Sequence, residues 1–138
     1  MLKVNMLFVN FINSLNLAHK HKDKELFFKA NKLIINFCDF LQKHGLIFSY
    51  QLQTLNNTEY ITVILKYYRN TPILAQIKIV ATPTLPKTMN ATSAQDLFLN
   101  QLKTTGLLVL STTKGIAFLA EAKKNNLGGS VLVEIHIF

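Results

Sequence analysis

The apolar pattern of this chain changes period at Gly45, and that change constrains the fold more than any other feature. Before it, Val4, Phe8, Phe11, Ile12 and Leu15 recur at helical spacing, with asparagines largely opposite. A second helical series runs through Leu26, Ala30, Leu33, Ile34, Phe37 and Leu41. It stops at Lys43, His44 and Gly45. Two basic side chains suit the carboxyl end of a helix, and glycine suits the left-handed position just beyond it. After Gly45 the period is two: Phe48, Tyr50 and Leu52 alternate with Ser49, Gln51 and Gln53.

Asn56 and Asn57 form a turn, and "YITVILKYY" is rich in β-branched and aromatic residues, so the pair of segments reads as a hairpin. "RNTP" turns the chain again before Ala75, Ile77 and Ile79, which alternate with Gln76 and Lys78. Residues 1–81 therefore read as an N-terminal α/β subdomain of two helices and three antiparallel strands. A short strand between the helices is compatible with the pattern but not visible in it. "ATPTLPKTMNATS" breaks the composition with two prolines and several threonines. Residues 82–138 read as a C-terminal β-rich subdomain. "SAQD" from Ser93 to Asp96 caps a short helix through about Leu102. Gly106 leads an apolar strand, "FLAEAKKNN" is a short helix and "VLVEIHIF" is a last strand. The expected class is α/β (α+β) with two small subdomains. The first has two helices on a mostly antiparallel three-stranded sheet, and the second has a small sheet with short helices.

The formal charge of +8 on 138 residues points to an anionic partner, nucleic acid first and an anionic membrane surface second. Arg69 stands alone among fourteen lysines. A nucleic-acid binder of this kind leans on phosphate attraction and takes its specificity from hydroxyls and backbone amides. Cys38, the single cysteine, forms no internal disulfide and no cysteine zinc cluster, and its apolar helical setting marks a buried thiol. His19 and His21 fall in "AHKHKDKEL", which reads as a solvated charge run rather than a metal site. The N-terminal segment is interrupted by Asn5, Asn10, Asn13 and Asn16 and is too short in apolar residues to span a membrane. The bias toward Asn, Lys, Ile, Leu and Phe fits an AT-rich coding sequence.

Catalytic constellations are weak. Asp23 and Glu25 sit among lysines, Asp96 reads as a helix-start acid and Glu121 as a surface partner of Lys124. A small hydrolase using Ser111 with a histidine is one alternative function, and a basic membrane-surface protein is another. The loop "LSTTKG" fits a different task. Ser111, Thr112 and Thr113 both donate and accept hydrogen bonds, which matches the 2′-hydroxyls and base edges of RNA. Lys114 adds phosphate attraction, and Gly115, Gly128 and Gly129 permit close backbone approach. An ordinary turn at the end of a strand explains the same residues.

The stretch "GLLVLSTTKGIAFLAEAKKNNLGGSVLVEI" resembles the C-terminal signature of the small-subunit ribosomal protein eight family. There a glycine-led strand enters a Ser-Thr-Ser-x-Gly loop, then a short basic helix, then Gly-Gly-Glu and a last strand. Ser111, Thr112, Gly115, Gly128 and Gly129 match, Thr113 replaces serine and Ser130 replaces glutamate. "ILKYYRNTPILAQIKIVATP" is similar to the family's central segment, with Ala81 in place of serine. "LFVNFINS" resembles the N-terminal helix, where Asn13 remains while Asn10 and Ile12 replace two arginines. The resemblance implies direct binding to the central domain of small-subunit ribosomal RNA, with neighbouring ribosomal proteins as further partners. It implies no catalysis, cofactor, metal, membrane insertion or homo-oligomer. The residues it marks for RNA contact are Ser111, Thr112, Thr113, Lys114, Gly115, Gly128, Gly129, Ser130, Asn13 and Thr82. The eroded arginines and the AT-rich bias are typical of mitochondrion-encoded members, which implies a mitochondrial matrix location.

Overall fold

Left-handed residues mark the hairpin turns and the helix ends among the described residues. The computed structural model describes residues 5–80, 88–89 and 106–137. Helix α1 spans Met6–Lys20, strand β1 Glu25–Lys29 and helix α2 Lys32–Lys43. Strands β2 (Ser49–Leu55) and β3 (Thr58–Ile64) form a hairpin. Its two central residues, Asn56 and Asn57, have φ of 51° and 63°, the geometry whose twist matches that of the flanking strands. A second tight hairpin pairs β4 (Tyr67–Tyr68) with β5 (Thr71–Pro72), again through two left-handed residues, Arg69 and Asn70. Strand β6 is Leu74–Ile79, β7 Thr88–Met89, β8 Gly106–Thr112 and β9 Gly115–Phe118. Helix α3 (Leu119–Lys124) and strand β10 (Gly129–Ile137) complete the order.

The three helices among the described residues end in the same way. In α2 the Leu46 N–H donates to the Leu41 carbonyl at 2.8 Å and the Gly45 N–H to the Gln42 carbonyl at 3.0 Å. Gly45 takes φ +72°, as its place after the last basic turn predicts. In α1 the left-handed residue is Lys22, and in α3 it is Asn126. There the Asp23 and Leu127 amides reach back to the Ala18 and Ala122 carbonyls at 2.9 and 2.8 Å. These bonds satisfy carbonyls that a helix end otherwise leaves open.

Contacts divide the chain into two compact units, one of residues 7–75 and one that joins residues 1–6 to 76–137. In the first, β1, β3 and β2 lie side by side in an antiparallel sheet. Helices α1 and α2 cover one face of it. Phe8, Phe11, Ile12 and Leu15 of α1 and Leu33, Ile34, Phe37 and Leu41 of α2 are buried with Ile61 and Val63 of β3. Edge-on ring contacts join Phe8 to Phe37 at 5.2 Å and Phe11 to Phe28 at 5.6 Å. Cys38 is buried among these residues, and burial pushes its thiol far above the ordinary range. In the second unit the sheet order is β6, β10, β8, β9, with β7 also on β10. Leu110, Leu119, Ala122 and Val131 form its core cluster, which ties α3 to β8 and β10. The register of β10 on β8 shifts between Val131 and Val133, so Leu132 is the extra residue of a bulge.

The architecture agrees with the expected α+β class, but three local assignments differ. The third strand of the first sheet is β1, not the segment from Ala75 to Ile79. That segment belongs to β6, which pairs with β10 in the second sheet. The β4–β5 hairpin stands between β3 and β6, and it closes with Pro72, which has no N–H to extend a ladder. The second helix begins at Lys32 rather than Leu26. Leu26, Phe27 and Phe28 satisfy either period, and Asn31 decides between them by accepting the Ile34 N–H at 2.8 Å as a cap. His19 is buried rather than solvated: it lies in the last turn of α1, and its Nδ1–H donates to the Leu15 carbonyl at 2.9 Å. The "SAQD" helix lies outside the described residues.

Burial lowers the pKa of His19, and its bond to Leu15 opposes that shift only in part. The unfolded chain therefore takes up a proton near pH 6.5 that the folded chain resists. Stability is full above that pH and falls below it by up to about 1.4 kcal/mol per pH unit. Urea titrations between about pH 7 and 5.5 should show this slope in the natural protein and a flatter one in His19→Phe. Lys22→Gly should raise stability by about 1 kcal/mol, because a left-handed backbone strains a residue with a Cβ.

Candidate nucleic-acid interface

The loop between β8 and β9 is held by one hydroxyl. Thr112 and Gly115 face each other in register, with Thr113 and Lys114 at the turn. The Thr112 hydroxyl donates to the Gly115 carbonyl at 2.7 Å and accepts the Lys114 N–H at 3.2 Å. The side chain is buried and both of its hydrogen-bonding roles are taken up within the turn. Gly115 supplies the reversal with φ +112°, a conformation that side chains rarely adopt. Braced in this way, Thr113, Lys114 and Gly115 are exposed.

A second constraint lies next to it. Gly129 opposes Thr112 and Ser130 opposes Ser111 in the β10–β8 ladder. A Cβ on Gly129 would stand 2.2 Å from the Ser111 carbonyl oxygen and 3.2 Å from the Thr112 Cα. The glycine thus lets β10 close onto the strand that carries the loop. Ser111 and Ser130 are both buried, and the Ser130 Oγ has no hydrogen-bond partner among the described residues. Leaving such a group unmet costs about 1–3 kcal/mol. On the other side of β10, Thr88 and Met89 occupy the register positions opposite Ser130 and Gly129.

The residues singled out in the sequence therefore separate by position. Ser111 to Gly115, Gly129 and Ser130 meet at one end of the second sheet, and half-buried Gly128 precedes Gly129. Within that group Thr113, Lys114 and Gly115 form the accessible tip, and Ser111, Thr112 and Ser130 lie beneath it. Asn13 is exposed on α1 of the other unit. Thr82 lies outside the described residues. Sequence reasoning noted Arg69 as the lone arginine but passed over its contact: it sits 5.2 Å from the ring centre of exposed Tyr68 at the tip of the β4–β5 hairpin. The adjacent "YYRN" is the signal that marks it.

Ser111 is poorly placed as a nucleophile. His136, the histidine of the same unit, pairs with Gly106 at the far end of the ladder that joins Ser111 to Ser130. Ser130 and His136 are six residue steps apart along the strand, about 20 Å. His136 instead lies 3.3 Å from Glu134. Among the described residues no group of three or more His, Cys, Asp or Glu side chains is arranged to hold a metal ion, and no helix is long and apolar enough to cross a membrane.

Two substitutions separate the brace from the tip. Gly129→Ala should destabilise the protein by about 2 kcal/mol, since the added methyl has nowhere to go. Thr112→Val should cost about 1–2 kcal/mol by stranding the Gly115 and Lys114 backbone groups. Thr113→Ala should leave the thermal midpoint unchanged. Thermal or urea denaturation followed by circular dichroism checks all three.

The family model for ribosomal protein S8 matches residues 7–136. The small ribosomal subunit protein uS8m of Acanthamoeba castellanii is 30% identical over 130 residues, covering 94% of this chain and 98% of that protein. The uS8 protein of Mycoplasmopsis pulmonis is 31% identical over 84% of this chain and 83% of its own length. That of Pelagibacter ubique is 25% identical over 86% and 87%. The match runs from the first helix to the last strand, and with it the chain belongs to the ribosomal protein S8 family, structural components of the small ribosomal subunit rather than enzymes.

Proposed function

We propose that this protein binds the central domain of small-subunit ribosomal RNA within the mitochondrial ribosome of the matrix and supports assembly there, with residues 82–138 as the RNA-binding subdomain. The observation that carries the reading is the braced turn. Thr112 and Gly115 hold Thr113 and Lys114 outward at the end of a sheet whose backbone Gly129 lets close. The Thr113 hydroxyl suits 2′-hydroxyls and base edges, and the Lys114 ammonium suits a phosphate. Ser111, Thr112, Gly128, Gly129 and Ser130 act beneath the tip by setting its position. Asn13 and Thr82 are further contacts outside it.

The mitochondrial setting is supported by the coding bias of the chain and by its likeness to the uS8m protein of Acanthamoeba castellanii. The charge of +8, nearly all of it on lysine, supplies affinity without much sequence reading.

The test is binding to a central-domain ribosomal RNA fragment and to a scrambled duplex across a salt series. The fragment should bind more tightly at every salt concentration. Thr113→Ala should weaken fragment binding by about 1 kcal/mol and leave duplex binding unchanged. Replacing an exposed lysine away from the loop, Lys22→Ala, should lower the salt slope by about one for both RNAs. Equal binding to fragment and duplex overturns the reading.

A further inference from the structure

Among the described residues of the first unit, the sheet has one face under helices and one face that no element of the unit covers. Along β1, Glu25, Phe27 and Lys29 point away from the helices, as do Tyr60 and Thr62 of β3 and Gln51 and Gln53 of β2. Phe27 pairs with Thr62 and Lys29 with Tyr60, so Phe27 and Tyr60 are diagonal neighbours on this face. Their rings stack, with centres 5.0 Å apart and planes within 13°. Phe27 is nonetheless 52% exposed. A residue of its size at that exposure leaves a large apolar surface in water, next to groups of a quite different kind.

Those neighbours identify the partner. An apolar protein surface would be matched by a continuous apolar patch, with charged side chains kept from its centre. Here exposed Gln51, Gln53 and Lys29 surround the two rings. Flat rings, amide and hydroxyl groups and an ammonium are together the equipment for unpaired nucleotides: a ring for the base, polar groups for its edges and a cation for the phosphate. The net charge agrees. Residues 7–75 carry eight Lys and Arg against four Asp and Glu; on the face itself Lys29 stands with Glu25, and Lys22 and Lys24 lie in the segment that leads into β1. We propose that this face, centred on the Phe27–Tyr60 stack, is a second RNA contact that takes unpaired nucleotides by base stacking. It draws on no residue of the β8–β9 loop and does not depend on that loop's reading.

The probe is a short single-stranded oligoribonucleotide containing 5-iodouridine, photocrosslinked to the full-length protein and mapped by mass spectrometry. The crosslink should fall on Phe27 or Tyr60, and the same sequence held in a duplex should not give it. Phe27→Leu keeps an apolar side chain without a ring, and should weaken binding of the single strand about tenfold or more. Phe27→Tyr should restore it. Neither should alter binding of the central-domain fragment through the loop by a comparable factor, and thermal midpoints establish that both variants fold. Crosslinks confined to other segments overturn the proposal. So does full binding by Phe27→Leu, which would make the face an ordinary apolar contact for a neighbouring protein. Loss of fragment binding in Thr113→Ala with the Phe27 crosslink intact, or the reverse, tells the two readings apart.

Discussion

The functional end of the second sheet depends on a backbone approach that only a residue without a Cβ permits. Where β10 passes β8, a methyl group on Gly129 would meet the Ser111 carbonyl oxygen at 2.2 Å. The absence of that carbon keeps Ser130 opposite Ser111 and Thr112 at the edge of the turn. The Thr112 hydroxyl then has one task, to close the turn through Lys114 and Gly115. Three residues of the loop are exposed because the two before them are buried. A hydroxyl-rich loop thus divides into a scaffold and a tip, and a hydrogen bond to RNA is available chiefly from the tip.

The first unit uses a different economy. Its core is aromatic and aliphatic, and its helices end on left-handed residues that return the open carbonyls to the chain. One left-handed residue there is lysine, which leaves strain in place at the end of α1. The same region holds a histidine kept neutral by burial. The Tyr67 hydroxyl donates to the Asp23 carbonyl, so the short β4–β5 hairpin is tied to the segment that follows α1. Basic side chains crowd this segment and continue along β1, where the stacked pair of Phe27 and Tyr60 lies on the uncovered face.

Much of this was legible from residue types. The first helix, the second helix from Lys32 onward, the Asn56-Asn57 hairpin, the Gly45 terminator and the strand, short helix and last strand after Gly106 follow from local chemistry, and the structure has each of them, with β9 added between β8 and the helix. The family resemblance rested on the same local features, and the family match across residues 7–136 agrees with it. Less legible was anything whose meaning lies in a distant partner. The "ELFFK" segment satisfies a helix or a strand, and it becomes β1 because β3 offers it a ladder. His19 reads as charged in its basic run, yet it is buried on the inner side of α1.

By itself the sequence determined the period of most segments, the turns and caps that bound them, the excess of positive charge and the family to which it belongs. These are properties of neighbouring residues, and steric and hydrogen-bonding rules act on neighbours. Tertiary structure alone decided that β6 joins β10 rather than β3, because strand pairing is set by which edges remain open after the local hairpins have formed. It also decided which hydroxyls of "STT" stay accessible. Burial depends on the strand laid alongside, and the strand laid alongside Ser111 and Thr112 is β10, nearly twenty residues further along the chain.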